Sequence, residues 1–155
     1  MNETSKVRTC LWFEKGGLEA AKLYVSLLPD SRIDSEYPTK TGKEPLTVEF
    51  TLAGAPYQIL NGGPHYKLSP AASISVLTDD QAETDRLWNA LLADGGEESH
   101  CGWLADRYGV SWQIVPKALI RAVTAKDRIA AERALQAMYK MHKIDIAAIE
   151  KALKG

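Results

Sequence analysis

Leu23-Tyr24-Val25-Ser26-Leu27-Leu28 is repeated, 64 residues on, as Leu87-Trp88-Asn89-Ala90-Leu91-Leu92. At the same offset Glu19 is matched by Glu83, and Lys22 by Arg86. Apolar residues at 20, 23, 24, 27 and 28 have the spacing of one helix face. A second repeat follows: Tyr57-Gln58-Ile59-Leu60 returns as Trp112-Gln113-Ile114-Val115, now 55 residues later. A helix and a later strand thus recur in the same order, with a shorter connection in the second copy. The pattern predicts an α+β chain made of two copies of one module.

Working outward, Val7 to Phe13 is a short β-prone run stopped by Gly16-Gly17, and the helix covers 18–28 up to Pro29. Residues 32–39 read as an edge strand. Leu46-Thr47-Val48-Glu49-Phe50-Thr51-Leu52 alternates apolar and polar residues, which predicts a half-buried strand with Leu46, Val48, Phe50 and Leu52 toward a core. A hairpin turn at 53–55 leads into a strand at 56–60. The second copy predicts a strand at 73–77, a helix over 81–93 capped by Asp79 or Asp80, and strands near 98–103 and 110–115. The spacing predicts two amphipathic tail helices, 129–142 and 146–153. Module one is placed at about 7–62, module two at about 70–116 and a helical extension at about 117–155, all within one domain.

At 155 residues the chain is long enough to bury about two thirds of its unfolded surface. Nineteen basic and 20 acidic residues leave a net charge of -1. No basic stripe points to nucleic acid, and no acidic block points to a tail. No apolar run approaches the roughly 20 residues of a membrane span. Two cysteines, Cys10 and Cys101, with a polar start and no signal-peptide core, predict reduced thiols in a cytoplasmic protein.

Several segments together carry a resemblance. They are Cys10-Leu11-Trp12-Phe13, Leu46-Thr47-Val48-Glu49-Phe50, Leu60-Asn61-Gly62-Gly63-Pro64-His65 and Cys101-Gly102-Trp103-Leu104. Asp106-Arg107-Tyr108-Gly109-Val110-Ser111-Trp112-Gln113-Ile114-Val115-Pro116, Gln136-Ala137-Met138 and Lys143-Ile144-Asp145-Ile146 complete the set. From about residue 7 to 155 the chain resembles the PhnB-like branch of the vicinal oxygen chelate superfamily. That superfamily includes glyoxalases, bleomycin-resistance proteins and dioxygenases, and this branch is often labelled "3-demethylubiquinone-9 3-methyltransferase domain". The resemblance implies two βαβββ modules whose sheets curl into a cup that holds a small molecule, often on a divalent metal. It also implies a homodimer, with the cup formed within one subunit or across two. By analogy of fold it implies lyase, isomerase or dioxygenase-type chemistry on a carbonyl or diol, or sequestration of a small molecule without catalysis.

Alternation assigns faces to the candidate residues. Thr9, Leu11 and Phe13, then Thr47, Glu49 and Thr51, then Gln58, Ser73, Ser75 and Gln113 are expected inside the cup. Trp12, Trp88, Trp112 and Cys10 are expected in the core, and Trp103 is expected to line the site. Glu49 is the inward carboxylate, a general base or cation ligand, or simply a solvated acid on an open face. The superfamily's last-strand ligand lies seven residues after the Asp of an Asp-x-x-Gly turn, which is Gln113 here, and Gln58 is its counterpart in the repeat. Two amides with the hydroxyls of Thr9 and Ser73 suit a divalent metal poorly, so the expectation is no tight metal site, with Gln58 and Gln113 as weak ligands. His65, after Gly62-Gly63-Pro64, is either a group at the cup mouth or a surface loop residue. His100-Cys101, read as strand neighbours, point to opposite faces and so form no nucleophile pair. Met138, Tyr139 and Met141 pack either a partner or their own subunit. No Gly-x-Gly-x-Gly loop follows a strand, so the residues do not support a Rossmann-type methyl-donor site.

Overall fold

The computed structural model describes residues 5–155. The chain forms two compact units, the first ending at Leu68 and the second running from Ser69 to Gly155.

The first unit contains β1 (Thr9–Phe13), α1 (Gly17–Leu27), β2 (Arg32–Pro38), β3 (Pro45–Leu52) and β4 (Ala55–Asn61). Its four strands lie in the order β1-β4-β3-β2, with β1 parallel to β4 and the other pairs antiparallel. The helix packs on one sheet face, where Ala20, Ala21, Tyr24, Val48 and Ile59 are fully buried. The entry to α1 is fixed by a side chain from the far end of the unit. Asn61 Oδ1 accepts the N–H of Gly17 at 2.9 Å, and its Nδ2 donates to the carbonyl of Pro45 at 2.8 Å. Position 17 has to be glycine: a Cβ there would stand 2.4 Å from Ile59 Cγ2.

The second unit repeats this plan with β5 (Ile74–Thr78), α2 (Gln81–Leu92), β6 (Glu97–Glu98), β7 (Trp103–Ala105) and β8 (Ser111–Pro116), in the order β5-β8-β7-β6. The parallel pair is again first with last. Asp80 caps α2 by accepting the N–H of Glu83 at 2.8 Å. Trp88, Leu104, Trp112 and Ile114 are each at most 2% exposed and form the core. The sequence repeat therefore has a direct meaning: Gln58 pairs with Cys10, and Gln113 with Ser75, at the same place in each sheet.

Three short helices complete the second unit: α3 (Lys117–Val123), α4 (Arg128–Met138) and α5 (Ile146–Lys154). They enclose Leu119, Ala122, Ala134, Ile144 and Ile149, and Met138 and Met141 pack against this cluster. Met138 and Met141 thus touch their own subunit while staying partly exposed, and Tyr139 is exposed. The segment between α4 and α5 is strapped down. Cys101 N and Gly102 N donate to the carbonyls of Met141 and His142 at 2.8 and 2.7 Å. The Gln81 side chain bonds both Ile144 O and Ile146 N, at 3.0 and 2.8 Å.

Four expectations are corrected. The faces of β1 are the reverse of those expected. In the parallel ladder Leu11 lies opposite Ile59, a fully buried residue, and Leu11 and Phe13 are 8% and 4% exposed. Thr9, opposite Tyr57, shares that helix-side face, whereas Cys10 is exposed. Residues 10–13 are apolar throughout, so the run carries no alternation from which to set the phase. Trp12 accordingly leaves the core; it is half-buried, donates Nε1–H to Gly63 O at 2.9 Å and meets Tyr66 edge-on at 4.8 Å. The strand expected at 98–103 is a tight hairpin, because Cys101 and Gly102 both have positive φ, 57° and 84°. His100 and Cys101 are thus turn residues, and the His100 ring stacks on His142 with centroids 4.9 Å apart. Finally, α4 ends at Met138 rather than 142, and α3, too short to show a periodicity, follows directly from Pro116, its N-cap residue.

Candidate functional site

The open face of the first sheet, away from α1, carries a groove of about 710 Å³ over β2, β3 and the start of β4. Alternation on β3 sends Val48 and Phe50 to the core and leaves Glu49 and Thr51 on this face, as expected. Two ionic chains run across it. The guanidinium Nη1 of Arg8 pairs with Glu49 Oε1, and Ser35 Oγ donates to Glu49 Oε2 at 2.9 Å. One register step away, Arg32 Nε pairs with Asp34 Oδ1 at 2.8 Å and Thr51 Oγ1 donates to Asp34 Oδ2 at 2.7 Å. The Glu49 side chain is 13% exposed, the most withdrawn of these charged groups. Tyr37 and Pro56 supply apolar walls.

A bulge builds this arrangement. The register between β2 and β3 shifts between Ile33 and Ser35, so Asp34 is an extra residue with no partner in the ladder. Ile33 stays opposite buried Phe50 and Ser35 lies opposite Glu49. Tyr57 stacks on Phe50 at 5.4 Å, and burial pushes its phenol pKa up. Cys10 shares the open face through its pairing with Gln58. Partial burial raises its thiol pKa, against the opposing pull of Arg8.

The remaining expected site residues fall in both units. Gln58 pairs with Glu49 across β3–β4. In the second unit Gln113 pairs with Trp103 and donates Nε2–H to Ser73 Oγ at 2.9 Å, so Ser73, Gln113 and Trp103 form a polar-aromatic patch on its open face. His65 is exposed in the loop after β4. Arg8, Arg32, Asp34 and Ser35 went unseen in the sequence. Correct phasing of β1 would have found Arg8; the bulge hides Asp34 and Ser35 from any period-two reading.

The donor set does not suit a divalent metal. Among the described residues no group of three or more His, Cys, Asp and Glu side chains is placed to hold one. Both oxygens of Glu49 are engaged by Arg8 and Ser35, and the amide of Gln113 is held by Ser73. A guanidinium beside each carboxylate of the groove, Arg8 at Glu49 and Arg32 at Asp34, opposes a cation there.

Comparison with known proteins places this architecture. The profile of the family described as 3-demethylubiquinone-9 3-methyltransferase matches residues 5–115. The chain belongs to this family. It is thus a PhnB-like member of the vicinal oxygen chelate superfamily. It is similar to the putative 3-demethylubiquinone-9 3-methyltransferase, PhnB protein, of Bacillus cereus, at 30% identity and a TM-score of 0.66, over 72% of this chain and 99% of that one. A protein of Pseudomonas aeruginosa is 22% identical with a TM-score of 0.57, over 73% of this chain and 98% of that one. The fosfomycin resistance protein FosX of Listeria monocytogenes, solved with Mn(II) and 1S,2S-dihydroxypropylphosphonic acid, shares the fold. It is 15% identical with a TM-score of 0.53, over 72% of this chain and 92% of that one. No curated protein matches the chain significantly. The family match stops at residue 115, short of the tail included in the sequence resemblance, so α3, α4 and α5 lie outside it. Neither PhnB-like sheet is the doubly wound parallel sheet of a Rossmann-type methyl-donor site: each has a single parallel pair. Among the described residues no helix is long and apolar enough to cross a membrane.

Proposed function

We propose that this PhnB-like chain binds a small, partly polar organic molecule in the groove on the open face of its first sheet, and that it does so without a metal. The observation that carries the reading is the pair of ionic chains, Arg8–Glu49–Ser35 and Arg32–Asp34–Thr51, set at the base of a groove of small-molecule size. Charged groups held side by side on a half-buried sheet face cost desolvation and add little stability. A binding role gives them a use that stability does not. Sequestration is the simplest form of this proposal. The homodimer implied by the superfamily belongs to the same proposal, and sedimentation equilibrium tests it.

A second reading is favoured by one feature: Glu49 is the best-shielded carboxylate of the groove. It would act as general base on a carbon next to a carbonyl, in lyase or isomerase-type chemistry. The methyl transfer in the family's description finds no support in these residues.

Ser35→Trp tests the binding reading by filling the groove from β2. Uptake of small molecules, followed by ligand-observed NMR, is expected to disappear while the fold is kept. Undiminished uptake would move the site elsewhere. Glu49→Gln separates the two readings: lost turnover with retained binding supports the base, and retained turnover removes it.

A further inference from the structure

From the hydrogen-bond inventory of the groove we infer that its ligand is a small organic oxyanion, a carboxylate or a related oxyacid, received by the outer N–H groups of Arg8 and Arg32. The inference rests on the groove reading above and names the ligand class.

The two signs of charge are spent unequally. Each carboxylate has both oxygens engaged: Glu49 by Arg8 and Ser35, Asp34 by Arg32 and Thr51. Each guanidinium uses a single nitrogen on these acids, Nη1 in Arg8 and Nε in Arg32. A guanidinium carries five N–H donors in a rigid planar fork. Among the described residues, most of those donors are therefore unspent, while every oxygen of the two carboxylates already has a partner. The Arg8 and Arg32 side chains are 33% and 52% exposed, within reach of an incoming molecule.

The partner for a surplus of planar donors is an acceptor-rich group, and a carboxylate or phosphate oxygen pair matches the fork best. Glu49 and Asp34 hold the arginines in place and balance their charge. The groove is therefore formally neutral, so recognition is by directed hydrogen bonds rather than by a long-range field. The Tyr37 and Pro56 walls leave room for an apolar body on the same molecule.

Benzoate and its neutral isostere benzamide separate the possibilities, with affinities read by saturation-transfer NMR on the full chain. Expected is benzoate binding that Ser35→Trp blocks and that Arg32→Gln weakens about tenfold, the loss of one charge-assisted hydrogen bond. Arg32 lies on an edge strand and is half exposed, so Arg32→Gln is expected to fold; its circular dichroism and unfolding midpoint check this. Benzamide binding as well as benzoate, blocked by Ser35→Trp and indifferent to Arg32→Gln, would overturn the oxyanion inference and leave the groove reading standing. Absence of any binding blocked by Ser35→Trp would overturn both.

Discussion

Ser35 and Glu49 lie directly opposite each other in the β2–β3 ladder, and the serine hydroxyl donates to Glu49 Oε2 at 2.9 Å. Arg8 holds the other oxygen of the same carboxylate. Because Arg8 keeps contact with water, this chain is a modest element of stability. Glu49→Gln is expected to lower unfolding free energy by less than about 2 kcal/mol in urea titration. A loss well above that would make Glu49 a structural residue.

In the second unit Asp106, 4% exposed, accepts the indole N–H of Trp112 at 3.0 Å and the backbone N–H groups of Tyr108 and Val110 at 2.9 and 3.0 Å. The Asp-x-x-Gly turn of the sequence is therefore a buried bracket for the core tryptophan. Trp112→Ala is expected to cost roughly 3–5 kcal/mol. Near-neutral stability would refute its place in the core.

The strap between α4 and α5 carries a weak acid-sensitive element. Lys143 pairs with Asp85 at 2.7 Å, and hydrogen bonds from Lys143 and Gln81 hold the Asp85 carboxyl below its usual range. A lowered folded-state pKa means the stabilisation is present above the unfolded pKa and is lost as pH falls through the folded one. Both side chains are well exposed, so Asp85→Asn is expected to cost about 0.5 kcal/mol at neutral pH. The difference between variant and parent should shrink and vanish as pH falls through the lowered folded-state pKa of Asp85. A difference that persists there would assign the effect to packing.

Cys10 is exposed on the open sheet face, with its thiol kept protonated by partial burial. Its alkylation by N-ethylmaleimide is expected to be slower at neutral pH than that of a free thiol and to rise with pH. Rapid labelling at neutral pH would show an activated thiolate instead.

How much of this was legible depended on local pattern. The repeat disclosed the doubled βαβββ order because Tyr24 and Trp88, and Ile59 and Ile114, fill equivalent core positions. Strand β3 was readable because its alternation is unbroken, and it delivered Glu49. Strand β1 was not, since Cys10 to Phe13 are all apolar and only the partner Ile59 fixes their phase. The groove's other charged residues depend on a bulge at Asp34, a tertiary feature with no period of its own. The turn at Cys101 is equally silent, for a non-glycine residue with positive φ is set by the bonds of 101 and 102 to Met141 and His142, far along the chain.

The measurement that bears most directly on the central claim is a backbone-amide NMR map of the labelled chain during titration with a mixture of small acidic and neutral aromatic fragments. The account predicts saturable shifts concentrated on residues 32–37 and 47–51, unchanged when a chelator is present. Shifts confined to the second unit around Ser73, Trp103 and Gln113, or shifts abolished by the chelator, would contradict it.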